Sequence, residues 1–200
     1  MNVSISRGNG KMGAIPSVSL PAGATCRTDC ECAQICYAKK LCKFRPSMRS
    51  AYQTNLDLLR VSPETYWREV EAAIMTSRFF RFHVSGDIPD TAYFTNMVEV
   101  ALRNPHCKIL CFTKKYEIVN RCLDFGVIIP DNLHIIFSAW RGLPMQNPYN
   151  LPTAHVIYKD GTTTARKDAK PCGGKCTDCA IRIGGCWSLK KGEAVVFHEH

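Results

Sequence analysis

The chain has 200 residues, 46% of them hydrophobic and 22% charged, which suits one globular domain with a sizeable core. No apolar run approaches the roughly eighteen residues of a membrane span, and residues 1–13 contain no apolar leader segment, so membrane insertion and export are not expected and the chain reads as cytoplasmic. Twelve cysteines in such a chain argue against a disulfide framework and for metal ligation, because the cytosol keeps thiols reduced.

The formal charge of +9 counts every cysteine as neutral. Four thiolates around zinc, or around an oxidised four-iron core, leave about −2 per site, so two filled sites would lower the net charge to roughly +5. Part of the basicity then compensates local negative charge, which weakens the case for a nucleic-acid partner.

Residues 1–25 are rich in Gly, Ser and Pro, with one candidate edge strand over 15–20. The first cysteine knot follows as Cys26-Arg-Thr-Asp-Cys30-Glu-Cys32-Ala-Gln-Ile-Cys36-Tyr37, and then the basic patch Lys39, Lys40, Lys43 and Arg45. Pro46 and Ser47 begin a helix predicted to end near Arg60. Ser62-Pro63-Glu64 begins a second, with a serine cap, proline in the first turn and an acid favoured by the helix dipole. Its apolar face carries Tyr66, Trp67, Val70, Ala73 and Ile74.

From Phe79 the rhythm changes. Strands are predicted over 79–85, 107–113, 133–139 and 154–158, with a further candidate over 194–198. Helices fall between the first three, one ending near Arg103 and one over 116–125 closed by Gly126. Strands at this spacing imply parallel βαβ units. The chain is short for a complete eight-stranded barrel, so the expected class is α/β, a partial (β/α) barrel or an open parallel sheet. Cysteine segments flank it at 1–45 and 161–200, around a core at 46–160.

Ligands of parallel α/β folds bind at the carboxyl ends of the strands. Those ends carry His83, Ser85, Gly86 and Asp87, then Thr113, Lys114 and Lys115, then Ser138, Trp140 and Arg141. Ser85, Asp87, Lys114 and Arg141 are the candidate contacts for a small anionic ligand. The alternatives are that Ser-Gly-Asp is a turn and helix entry, that His83 is a core histidine, and that Trp140 packs.

The second knot is Cys172-Gly-Gly-Lys-Cys176-Thr-Asp-Cys179-Ala-Ile-Arg-Ile-Gly-Gly-Cys186-Trp187, four cysteines at separations of four, three and seven. Structural zinc sites usually pair their cysteines across a longer spacer. This crowded run is closer to those that wrap a four-iron cluster, with glycines admitting backbone amides to the sulfides and Lys175 and Arg182 offsetting charge. Cys172, Cys176, Cys179 and Cys186 are therefore assigned to a [4Fe-4S] cluster, with zinc the alternative. In the first knot Cys26, Cys30, Cys32 and Cys36 supply three or four ligands, and Cys42 is a further candidate. Three would leave an iron open to substrate. Cys107, Cys111 and Cys122 sit at core-like positions, although Cys111 could face a cluster.

Thr25-Cys26, Cys36-Tyr37-Ala38-Lys39, Ser85-Gly86-Asp87-Ile88, Cys111-Phe112-Thr113-Lys114 and the closing run to Cys186-Trp187 together resemble the bacteriophage gene product 88 family, from about Gly8 to His200. The resemblance implies a phage or prophage origin, hence the cytoplasm of a bacterial host, without supplying a reaction. A looser similarity links the layout to radical S-adenosylmethionine enzymes, which pair an N-terminal three-cysteine cluster with a partial (β/α) barrel. Cys26, Cys30 and Cys32 depart from their motif by having one residue in the second gap, and no glycine-rich stretch beyond Gly86 follows the first strand. S-adenosylmethionine is an open alternative cofactor.

The expectation is an iron–sulfur protein of redox or radical type, with a small anionic ligand or an electron-transfer partner. It leaves open whether the chain is an enzyme. The alternatives are a zinc-stapled nucleic-acid binder using Lys39, Lys40, Lys43, Arg45, Lys190 and Lys191, or a host-interaction protein whose metal is structural.

Overall fold

A computed structural model describes residues 2–183 and 185–199, without the side chain of Ile183. Gly184, the first of the glycine pair before Cys186, and the terminal Met1 and His200 lie outside the described residues. The fold is mixed α/β around an eight-stranded, mostly parallel sheet.

Strands β1 (Ile5–Ser6) and β2 (Ser17–Val18) pair antiparallel at one edge, and β2 then pairs parallel with β3 (Phe79–Phe82). Next come β4 (Lys108–Thr113), β5 (Leu133–Ser138), β6 (Thr153–Ile157), β8 (Ala194–His198) and, at the far edge, β7 (Lys170–Pro171), all parallel. Helices α1 (Tyr37–Phe44), α2 (Pro46–Val61) and α3 (Pro63–Met75) precede β3. Then α4 (Thr91–Arg103) and α5 (Tyr116–Asp124) connect β3 to β4 and β4 to β5, and α6 (Cys176–Ile183) lies inside the second cysteine knot.

Local chemistry accounts for the boundaries. Asp90 caps α4 by accepting from the Tyr93 amide at 2.8 Å. At the end of α5, Gly126 has φ +87°, its amide donates to Leu123 O at 3.0 Å, and the Val127 amide donates to Cys122 O at 3.0 Å. That is the left-handed closure glycine permits. Ser62 precedes α3 as expected, but its hydroxyl donates to Thr65 Oγ1 at 2.8 Å and does not bond a helix amide. Strand β3 stops at Phe82, short of the expected Ser85, because His83 turns to φ +63°.

Side chains alternate across the sheet, as the period of two requires. Phe80, Phe82, Ile109, Cys111, Ile135 and Phe137 face the helices and pack with Tyr66, Val70, Ile74, Phe94 and Met97. Phe79, Leu110, Ile136, Ala154 and Val195 face the other way, against Met12, Ile15, Ala180, Trp187 and Leu189. Cysteines 172, 176 and 186 pack on this second core. Burial on both faces explains why the strands read as near-continuous apolar runs. Among the described residues no helix is long and apolar enough to cross a membrane.

Candidate metal centres at the strand ends

All twelve cysteines are free thiols. The first knot is held against the ends of β3 and β4 by backbone and hydroxyl contacts. Leu20 N donates to Ser85 O at 3.0 Å, and Asp87 N donates to Thr25 Oγ1, one residue before Cys26, at 3.0 Å. Gly86 makes this approach feasible. It has φ +82°, and a Cβ there would lie 2.8 Å from Leu20 Cβ and 2.9 Å from Thr25 Oγ1.

Asp87 is a buried clamp. Its carboxylate accepts from Thr113 Oγ1 at 2.6 Å, Ile88 N at 2.8 Å and Lys114 N at 2.9 Å, tying the end of β3 to the end of β4. Burial raises its pKa, against the lowering effects of the Lys114 charge and these hydrogen bonds. Arg141 is equally engaged, pairing with Glu31 at 2.7 Å and Asp160 at 2.6 Å while its guanidinium lies 4.2 Å from the Tyr158 ring centroid. With Arg27, which bridges Asp29 and Glu117, it straps the first knot to the sheet and to α5. Ser85 is buried and, among the described residues, its Oγ has no hydrogen-bond partner.

Lys114 is the centre of the site. Its ammonium lies 5.4 Å from the Trp140 ring centroid. Burial pushes its pKa down, but the charges of Cys32, Asp87, Cys30 and Cys26 outweigh burial and raise it. Cys32 is lowered to about 6 by a hydrogen bond from Cys30, against burial and with help from Lys114. Cys30, the donor, is raised correspondingly, and burial raises Cys26, which also feels Cys36. Three sulfurs of the first knot thus act on the charge of one lysine at the strand ends.

The second knot docks on the other face of the sheet. Cys172 N donates to Val196 O at 2.9 Å, Cys176 N to Lys11 O at 2.8 Å and Thr177 Oγ1 to Met12 O at 2.6 Å. Trp187 is buried 5.7 Å from the Phe79 ring, centroid to centroid, and anchors the end of the knot. The cysteine run is itself partly helical: α6 places Cys176 and Cys179 one turn apart on one side. Burial raises Cys176, Cys179 and Cys186, the last to about 12, and for each the neighbouring cysteines add to the rise. Gly185, at φ +49°, lies so near Cys179 that a Cβ would fall 2.5 Å from its Sγ.

The donor chemistry of both sets fits a thiolate-ligated centre, and Gly185 leaves bare backbone beside the Cys179 sulfur. Among the described residues no three His, Cys, Asp or Glu side chains converge as a site for a single metal ion.

Other candidates fall elsewhere. Cys107, Cys111 and Cys122 are buried; Cys111 Sγ lies 3.9 Å from His83 Nδ1 on the helix-facing core, away from the second knot. His83 is buried, bonds Tyr93 Oη at 3.1 Å, and burial lowers its pKa to about 3. Lys39, Lys40, Lys43 and Arg45 are exposed on and just after α1. A cavity of about 450 Å³ lined by Leu133, Ile135, Leu151, Leu189 and Lys191 opens at the opposite edge, where β5 begins. Sequence reasoning named Thr113 at a strand end and Thr25 beside Cys26 but gave neither a role, and it passed over Arg81, whose signal was its charge within Phe79-Phe80-Arg81-Phe82.

Comparison with known proteins places the chain. It is 27% identical over 182 residues to the Gene 88 protein of Mycobacterium phage L5, spanning 84% of this chain and 72% of that protein. No solved structure matches significantly. The family profile described as gene product 88 matches residues 3–142, and the chain belongs to that bacteriophage family.

Proposed function

We propose that this is an iron–sulfur protein of redox or radical type with two [4Fe-4S] centres. One is on Cys172, Cys176, Cys179 and Cys186, and one is on the set Cys26, Cys30, Cys32 and Cys36. The observation that carries the reading is that the Thr25–Asp87 contact brings the first knot to the carboxyl ends of β3 and β4, where the charges of Cys26, Cys30 and Cys32 all act on Lys114. A parallel sheet with neighbouring strands in nearly sequential order supports the partial-barrel reading, in which that edge is the functional one.

When loaded, such centres supply one-electron chemistry, and an iron with an open position can take a ligand atom. The chain's own residues do the rest. Lys114 offsets thiolate charge and is the cation available to a small anion, and the unpartnered Ser85 hydroxyl is a hydrogen-bonding group at the same strand ends. Asp87 and Arg141, saturated by protein partners, hold the edge in shape and leave ligand contact to these two. Trp140 covers Lys114 on one side and limits water there.

The deciding experiment is metal and sulfide analysis of full-length protein purified without oxygen. Brown protein absorbing near 400 nm, with about eight irons per chain and matching sulfide, supports the reading, and about four would leave only one centre. Colourless protein with stoichiometric zinc and no sulfide refutes it. That result would favour the second reading, a zinc-stapled nucleic-acid binder, whose support is the exposed cations Lys39, Lys40, Lys43 and Arg45.

A further inference from the structure

One cation on the second-core face of the sheet has no ion-pair partner among the described residues. Arg81 projects from β3 on the side opposite Phe80 and Phe82, toward the second core. Its guanidinium lies 5.0 Å from the Phe112 ring centroid, and Phe112 packs on the same core as Cys172, Cys176 and Cys186. Its Nε is buried with no hydrogen-bond partner, and among the described residues Arg81 forms no salt bridge.

A guanidinium partly out of water with unmet donors is costly, and proteins keep one where an anion completes it. What shares Arg81's side of the sheet is sulfur: the guanidinium lies over Phe112, which packs on the same core as Cys172, Cys176 and Cys186. Four thiolates on an oxidised four-iron core leave about −2 in a half-buried place, and Arg81 has the complementary charge.

We propose that Arg81 is the internal counter-charge of the C-terminal centre, a positioning residue that holds this anionic group against the sheet and sets its potential. The inference rests on the reading that Cys172, Cys176, Cys179 and Cys186 bind an iron–sulfur cluster. A nearby cation favours the reduced, more negative state, so removing it lowers the midpoint potential. The exposed Lys175 and Arg182 of the same run lie closer in sequence, but they are solvated and screened.

The test is a redox titration, followed by electron paramagnetic resonance, of anaerobically reconstituted full-length protein. The signal lost in Cys186→Ala identifies the C-terminal centre. Arg81→Met and Arg81→Gln should move that centre to a more negative potential and Arg81→Lys should restore most of the shift, while the other centre stays put. Metal-free Arg81→Met should unfold at no lower urea concentration than metal-free wild type, because an unpartnered charge has been removed. Arg81→Gln carries the test if Arg81→Met does not fold. An unchanged potential, an equal shift of both centres, or marked destabilisation of both metal-free variants would overturn the proposal. Wild-type protein without iron and sulfide would instead refute the cluster reading and take the proposal with it.

Discussion

Replacing Asp87 by Asn separates a buried clamp from a ligand contact, and the structure gives the magnitude. One carboxylate oxygen accepts from Thr113 Oγ1 at 2.6 Å and Ile88 N at 2.8 Å; the other accepts from Lys114 N at 2.9 Å. An asparagine oriented to keep the first pair turns its NH₂ toward the Lys114 amide, leaving facing donors that cost about 1–3 kcal/mol. The two retained bonds lose their charge assistance, about 1 kcal/mol each. Removing the buried carboxylate's desolvation returns part of this, since burial already raises its pKa. The expected loss is about 2–4 kcal/mol. It should be read from urea unfolding of reduced, metal-free protein at pH 7, with an unchanged m-value. Thr113→Val should lose about 1 kcal/mol, and the double variant less than the sum, because both substitutions break the same bond. Stability within about 0.5 kcal/mol of wild type in Asp87→Asn would refute the clamp.

Gly86→Ala should lose about 2–4 kcal/mol in the same assay. It combines a left-handed φ of +82° with a Cβ 2.8 Å from Leu20, and a loss below 1 kcal/mol would contradict the close approach. His83, with a folded pKa of about 3 against its ordinary 6.5, stays neutral in the folded protein while the unfolded chain takes up a proton. Its contribution is therefore complete above pH 6.5 and is lost as pH falls toward 3, by at most about 1.4 kcal/mol per unit. His83→Asn, which tolerates the positive φ, should flatten stability against pH between 6.5 and 5; identical slopes would refute this. Cys186→Ala should lose about half the bound iron and sulfide and keep a folded sheet by circular dichroism. Cys26→Ala should do the same for the other centre, and full iron retention in either variant would remove that cysteine from the ligand set.

Most of the core was legible because periodicity and caps are local. Phe79 to Phe82, Lys108 to Thr113 and Leu133 to Ser138 announced themselves as strands by their apolar runs, and Asp90 opened one helix and Gly126 closed another as their chemistry requires. The exceptions have particular causes. The last residues assigned to β3 were lost to the left-handed turn at His83, which serves the packing of Tyr93 and Tyr66. Helix α6 was obscured because its cysteines were read for spacing alone, and β1 and β7 are two-residue edges defined only by their partners.

The two cysteine runs, the βαβ rhythm and the strand-end groups Ser85, Asp87, Lys114 and Arg141 were determined by the sequence itself, since residue type and spacing are local properties. Which of those groups are spent on the protein and which are left over was decided only by tertiary structure. Asp87 meets Thr113 and Arg141 meets Glu31 across 26 and 110 residues of chain, while Lys114 comes under the charges of Cys26, Cys30 and Cys32. Arg81 shows the same division. Its charge is visible in any reading of the strand, but that it lies on the face covered by the second knot and, among the described residues, pairs with no carboxylate depends on which side of the sheet the period of two puts it and on what a distant segment folds back to cover.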